Sequence, residues 1–210
     1  MKLIVISDSR YFTGEEDIVH ALFKEGLEIL HIRKPKMSTD AMREFLEKID
    51  AKWYSRIVIH SHHELAYKYK LKGIHLSDKH IRDNFLEAWL RMKYLKFKIP
   101  DIQISTSFHD LGSLLKSSTN YSYVFLSPIF DSISKLGYKN RFNTESLLKA
   151  IEKSQYDIMA LGGVDEQYIQ QIHEMGFSGC GVLGSVWMSS DPVGKFKAIQ
   201  KLCKEVSHVS

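Results

Sequence analysis

Short apolar, β-prone runs recur along this chain, each followed by a polar turn and then by apolar residues at helical spacing. No other feature restricts the fold as much. A strand that hands over to a helix and then to another strand returns parallel to the first, so repetition of the unit builds a parallel sheet. The runs predict strands over Leu3–Ser7, Glu28–Arg33, Arg56–His60, Gly73–Ser77, Ile102–Thr106, Tyr123–Ser127, Asp157–Leu161 and Gly179–Leu183. Eight such units within 210 residues point to the α/β class and to a closed (β/α)8 TIM barrel, one domain over 1–210. An open doubly wound sheet is the alternative. It usually carries a glycine-rich loop after its first strand, where this chain has Ser7-Asp8-Ser9-Arg10.

The intervening helices announce themselves by periodicity and caps. Glu15–Lys24 sets Ile18, Leu22 and Phe23 on one face; Thr39–Ile49 sets Met42, Phe45, Leu46 and Ile49; Asp165–Met175 sets Tyr168, Ile169, Ile172 and Met175. Ser38, Asn143 and Asp191-Pro192 stand where helices should begin, and Gly26 and Gly176 where they should end. Arg82–Pro100 is harder to place: a polar helix running into Tyr94-Leu95-Lys96-Phe97-Lys98.

Composition narrows the partners. Apolar residues make 44% and charged ones 26%, and 29 basic against 25 acidic residues leave a net charge of +4 without a basic stripe. This suits an enzyme for small anions rather than a nucleic-acid binder. Leu3-Ile4-Val5-Ile6 is too short for a secretory core or a membrane span, and the two cysteines, Cys180 and Cys203, read as reduced. A cytoplasmic protein without a membrane partner is expected; self-association stays open.

Barrels of this kind react at the C-terminal ends of their strands, so the chemistry should sit in the residues found there. Gly162-Gly163 follows strand seven and Gly184-Ser185 follows Leu183 at the end of strand eight. Glycines let a backbone approach an anion closely, so the pair reads as a phosphate cradle; a simple tight turn is the alternative for Gly162-Gly163. Arg33, Lys34 and Lys36 after strand two form a cationic rim, with solvated loop charge as the alternative for the lysines. His60, His62, His63 and His80 invite a metal reading, but this spacing is not a strong metal signature, and hydrogen-bonded or solvated imidazoles suit it better. His75, inward in strand four, reads as a core histidine. Past strand six, Ser132, Ser134 and Lys135 crowd two hydroxyls and an amine ahead of Gly137.

In this order, the strand-end motifs resemble the thiamin-phosphate synthase family and its relatives the thiazole tautomerases, from Leu3 to about Pro192. His31-Ile32-Arg33 matches Gln-x-Arg or His-x-Arg; Gly73-Ile74-His75-Leu76 matches Gly-Val-His-Leu; Ile104-Ser105-Thr106 matches Val-Ser-Thr. Ser127-Pro128-Ile129-Phe130, Ser132-x-Ser134-Lys135 and Leu161-Gly162-Gly163-Val164 match Gly-Pro-Val-Phe, Thr-x-Thr-Lys and Ile-Gly-Gly-Ile. The resemblance implies a barrel that joins hydroxymethylpyrimidine diphosphate to a thiazole phosphate and releases pyrophosphate, with Mg²⁺. A tautomerase of thiazole carboxylate phosphate, or a binding protein for thiamin phosphates, are the other activities it admits.

Carried over residue by residue, the resemblance gives Ser132 and Ser134 the thiazole phosphate and Lys135 the pyrophosphate. Gly162, Gly163, Leu183 and Gly184 hold the phosphate, and His31, Arg33, Lys34 and Lys36 face the substrates. Ser105, Lys135 and His109 are the catalytic candidates, His109 because the tautomerase histidine falls two residues earlier, at Ser107. The chain also departs from the pattern. His60-Ser61 stands where the family has Asn-Asp, and His80 where it has a second Asp, with Asp78 two residues before. Both Mg²⁺ carboxylates are thus replaced, so no metal ligand is assigned and weak or no Mg²⁺ binding is expected.

Overall fold

A computed structural model describes residues 1–77, 85–131 and 142–207. Eight parallel strands follow one another in chain order around a closed barrel. They are β1 (Lys2–Ile6), β2 (Ile29–Ile32), β3 (Ile57–Ile59), β4 (Gly73–Leu76), β5 (Gln103–Phe108), β6 (Tyr123–Leu126), β7 (Ile158–Ala160) and β8 (Gly179–Val182). Every expected strand is present. Seven of them stop one residue early, whereas β5 runs on through Ser107 to Phe108.

The backbone groups into two compact units, Ile6–Thr106 and Met1–Val5 with Ser107–Ser210. In the first, the helix Thr39–Glu47 starts where Ser38 Oγ accepts from the amide of Ala41 at 3.2 Å. Its Met42, Phe45 and Leu46, spaced one helical turn apart, are fully buried, as the periodicity requires. The helix Glu15–Lys24 ends at Gly26, whose φ of +95° is the left-handed stop that a β-carbon would disfavour. The helix Phe85–Lys98 absorbs the stretch Tyr94–Lys98 that sequence pattern left unplaced. Among its described side chains Leu95 is buried, while Leu86, Trp89, Leu90, Tyr94 and Phe97 are exposed.

In the second unit, Asp110, Asn143 and Asp191 cap the helices Leu111–Lys116, Thr144–Lys153 and Pro192–Val206, accepting from Ser113, Ser146 and Gly194. Here β1 lies against β8 with Leu3 opposite Cys180, and Cys180 and Cys203 are buried free thiols. Among the described residues no helix is long and apolar enough to cross a membrane.

Candidate active site

Within Ile6–Thr106, three imidazoles converge toward the C-terminal ends of neighbouring strands. His31 lies in β2, His60 directly after β3 and His75 in β4. Parallel register brings this about: Ile59 pairs with Ile74, so one residue on His60 stands beside His75, and His75 in turn pairs with Ser105 of β5. The rings of His60 and His75 stack with centroids 4.1 Å apart. His31 Nδ1 is 3.0 Å from His60 Nε2, and His75 Nδ1 is 3.0 Å from Ser105 Oγ. Burial, and after it the neighbouring imidazole of His75, hold His31 and His60 well below the usual imidazole range. Both rings are therefore neutral at physiological pH.

His75 is thus the buried, hydrogen-bonded histidine its alternation implied, and it is also one of a trio. The other histidines of this mouth are engaged in structure. His62 bonds Thr39 Oγ1 and the carbonyl of Met37, each at 2.9 Å, and buried His63 lies 3.2 Å from the carbonyl of His75. The position of His80 lies outside the described residues, as do those of Ser132, Ser134 and Lys135. Ser61, by contrast, is described: its hydroxyl is buried with no hydrogen-bond partner among the described residues.

Lys34 corrects the cationic rim. Its side chain is 1% exposed, and its ammonium donates to both carboxylate oxygens of buried Glu15, at 2.5 and 2.6 Å, and to the carbonyl of Arg10 at 2.9 Å. A lysine whose donors are committed inside the fold is not a phosphate ligand on the rim. The glutamate that captures it comes from the first turn of a helix nineteen residues away, a partner that strand-end inspection does not reveal. Arg33 is half-buried, with its amide bound to Ser7 Oγ at 2.9 Å, and Lys36 is exposed.

The second unit holds the glycine turns. Leu161, Gly162, Gly163, Leu183, Gly184 and Ser185 line one pocket of about 50 Å³. Gly162 and Gly163 have φ of +89° and +68°. They wrap the segment after β6, where the amides of Ile129 and Phe130 donate to the carbonyls of Leu161 and Gly162 at 3.0 and 3.1 Å. Close approach makes glycine obligatory: a β-carbon on Gly163 would lie 2.3 Å from the carbonyl oxygen of Asp131. Ser185, named with Gly184 in the expected cradle but given no role of its own, adds a feature. It is 8% exposed, and its hydroxyl has no partner among the described residues. Its place directly after Gly184 was the available signal.

Gly163→Ala is expected to cost at least about 1–2 kcal/mol from the left-handed conformation, with displacement of Asp131 added to it. Urea unfolding of the variant measures this; wild-type stability would mean that the turn relaxes freely.

His109, just past β5, is exposed, and its Nδ1 lies 3.0 Å from the carbonyl oxygen and 3.1 Å from the hydroxyl of Ser127. The extra residues of β5 carry it to the corner before the helix Leu111–Lys116, against the end of β6.

A family profile described as thiamine monophosphate synthase matches residues 3–186. The chain belongs to that family. A thiamine phosphate pyrophosphorylase from Bacteroides thetaiotaomicron is 30% identical, with a TM-score of 0.75 over 97% of this chain and 98% of that one. The thiamine-phosphate synthase of Chlamydia caviae is 23% identical over 96% of this chain and 94% of its own length, and that of a Psychrobacter species 25% identical over 91% and 90%. The pyrophosphorylase from Pyrococcus furiosus, at 18% identity and a TM-score of 0.78, shares the fold.

Family membership raises the question of Mg²⁺. Among the described residues, the group with metal-ligating side chains in reach of one another is His31, His60 and His75, with no carboxylate in it. Mg²⁺ is a hard ion that takes oxygen ligands in an octahedral shell, and three imidazoles do not fit it.

Proposed function

We propose that this chain is a thiamin-phosphate synthase: it couples hydroxymethylpyrimidine diphosphate to thiazole phosphate and releases pyrophosphate. One observation carries the reading. The glycine turns after β7 and β8 share a pocket that also holds the hydroxyl of Ser185, which has no partner among the described residues. That is the chemistry of a phosphate cradle: backbone amides freed of side-chain cover by glycine, and a buried hydroxyl whose donor would otherwise go unsatisfied. Gly162, Gly163, Leu183, Gly184 and Ser185 would hold the thiazole phosphate, joined by Ser132 and Ser134.

Holding that phosphate fixes the thiazole for attack on the electrophilic carbon of the pyrimidine, which converts an encounter of two substrates into an oriented step. As the new bond forms, the bond from that carbon to diphosphate breaks. Arg33 and Lys36 are the cations assigned to the diphosphate while it is bound, and Lys135 the one that meets the charge developing as it leaves. Ser105, committed to His75, would set the orientation of that imidazole rather than attack. On this reading the enzyme acts in the cytoplasm as one domain, on two small anions and without nucleic acid or membrane.

The test is incubation with both phosphorylated substrates, with and without Mg²⁺, read by chromatography for thiamin phosphate and pyrophosphate. Formation of both products in equal amounts is expected. Tight thiamin phosphate binding with no turnover of either substrate would mark a binding protein instead. Conversion of thiazole carboxylate phosphate to its isomer, without coupling, would mark a tautomerase.

A further inference from the structure

We propose that His31, His60 and His75 form a three-histidine site for a borderline transition-metal dication, Zn²⁺ or a close substitute, with a fourth position open to water or a phosphoryl oxygen. One nitrogen of each ring lies within 4.8 Å of those of the other two. Tetrahedral Zn²⁺ with bonds of about 2.0–2.1 Å to imidazole sets its ligand nitrogens roughly 3.3 Å apart. His31 Nδ1 and His60 Nε2, at 3.0 Å, are already near that separation, and a His75 nitrogen within 4.8 Å of both has to move closer to complete the triangle. The three rings stand on adjacent strands, so the backbone is held by sheet pairing while the side chains adjust.

The surroundings suit a metal of this class. His75 presents its Nδ1 to Ser105 Oγ at 3.0 Å, the outer contact that fixes the ring of a metal-bound histidine and its tautomer. Three neutral protein ligands with one vacant position are the donor set of catalytic zinc, whereas imidazole is a poor ligand for Mg²⁺. His31 and His75 are buried and His60 is half-buried, so access is from the His60 side. A dication there would answer the loss of the family's carboxylates at Ser61 and His80: the charge is retained while its chemistry changes. That the fourth position takes a diphosphate oxygen rests on the synthase reading; that the metal binds does not.

The experiment uses the full-length protein without substrates. After chelator treatment and dialysis it is titrated with Co²⁺, followed by visible absorption, and the Co²⁺ is then displaced with Zn²⁺ or challenged with excess Mg²⁺. We expect one Co²⁺ per chain with the intense bands of a four-coordinate site, displacement by one equivalent of Zn²⁺, and no displacement by Mg²⁺. His60→Ala should abolish the bands. Ser105→Ala should weaken binding by roughly 10- to 100-fold, as loss of an outer-shell partner does. His62→Ala should leave the bands intact. X-ray absorption of the Zn²⁺ form reads the imidazole ligands directly, so the result does not depend on the variants folding. No bands in wild type, bands undiminished in folded His60→Ala, a zinc shell without imidazole, or preferential Mg²⁺ binding would each overturn the proposal. Failure to form thiamin phosphate would overturn the synthase reading and leave every one of these readouts unchanged.

Discussion

Lys34→Met should destabilise the protein by about 3–5 kcal/mol, the usual cost of leaving half of a buried ion pair behind. The lysine is enclosed: its ammonium touches both oxygens of Glu15 and the carbonyl of Arg10, and it lies 5.5 Å from the centre of the Phe45 ring. Burial pushes the Glu15 carboxyl up and the Lys34 amine down, and the pairing between them opposes both shifts. Methionine fills the volume but removes the charge that keeps Glu15 ionised, so the carboxyl rises further. A folded-state value raised above the unfolded one stabilises below the unfolded value and is lost as pH climbs through the folded value. The deficit of Lys34→Met should therefore be largest at neutral pH and shrink toward acid. Urea unfolding at neutral and mildly acidic pH measures both features. The double variant Glu15→Leu/Lys34→Met should recover most of the loss, because an apolar pair of similar volume often replaces a buried ion pair at little cost. A neutral-pH loss under about 1 kcal/mol would fit an exposed pair instead and would return Lys34 to the rim.

The second large effect concerns rate. Lys135→Ala should lower the kcat of coupling by about 10²–10³, roughly 3–4 kcal/mol of barrier, the usual cost of one preorganised charged donor. Its charge would matter more as pyrophosphate departs than when the diphosphate is merely bound, so kcat and kcat/KM should fall together. Affinity for thiazole phosphate should change little, because on the synthase reading the glycine turns, not the lysine, would hold that group. His109→Ala separates the alternatives. An imidazole whose Nδ1 engages Ser127 is suited to proton transfer at carbon, so a tautomerase would lose isomerisation in His109→Ala and keep it in Lys135→Ala. Assays of both variants for both reactions decide; unchanged coupling in Lys135→Ala would remove the lysine from the leaving-group role.

By itself, the sequence determined the eight-unit alternation, the places of the strands and most helix boundaries. These are local matters: hydrophobic period, caps such as Ser38 and Asp191, and left-handed glycines such as Gly26 act over one or two turns. Strand-end glycines were legible for the same reason, since the barrel rule converts chain position into position at the mouth. Tertiary structure decided what depends on partners distant in the chain. Lys34 reads as a rim cation until Glu15, nineteen residues earlier, takes its charge inside. His31, His60 and His75 read as one substrate contact, one half of a replaced Asn-Asp pair and one core residue. Parallel register between β2, β3 and β4 makes them a single cluster, because the pairing offset sets which side chains of different strands share a level, and no local pattern in the sequence encodes that offset.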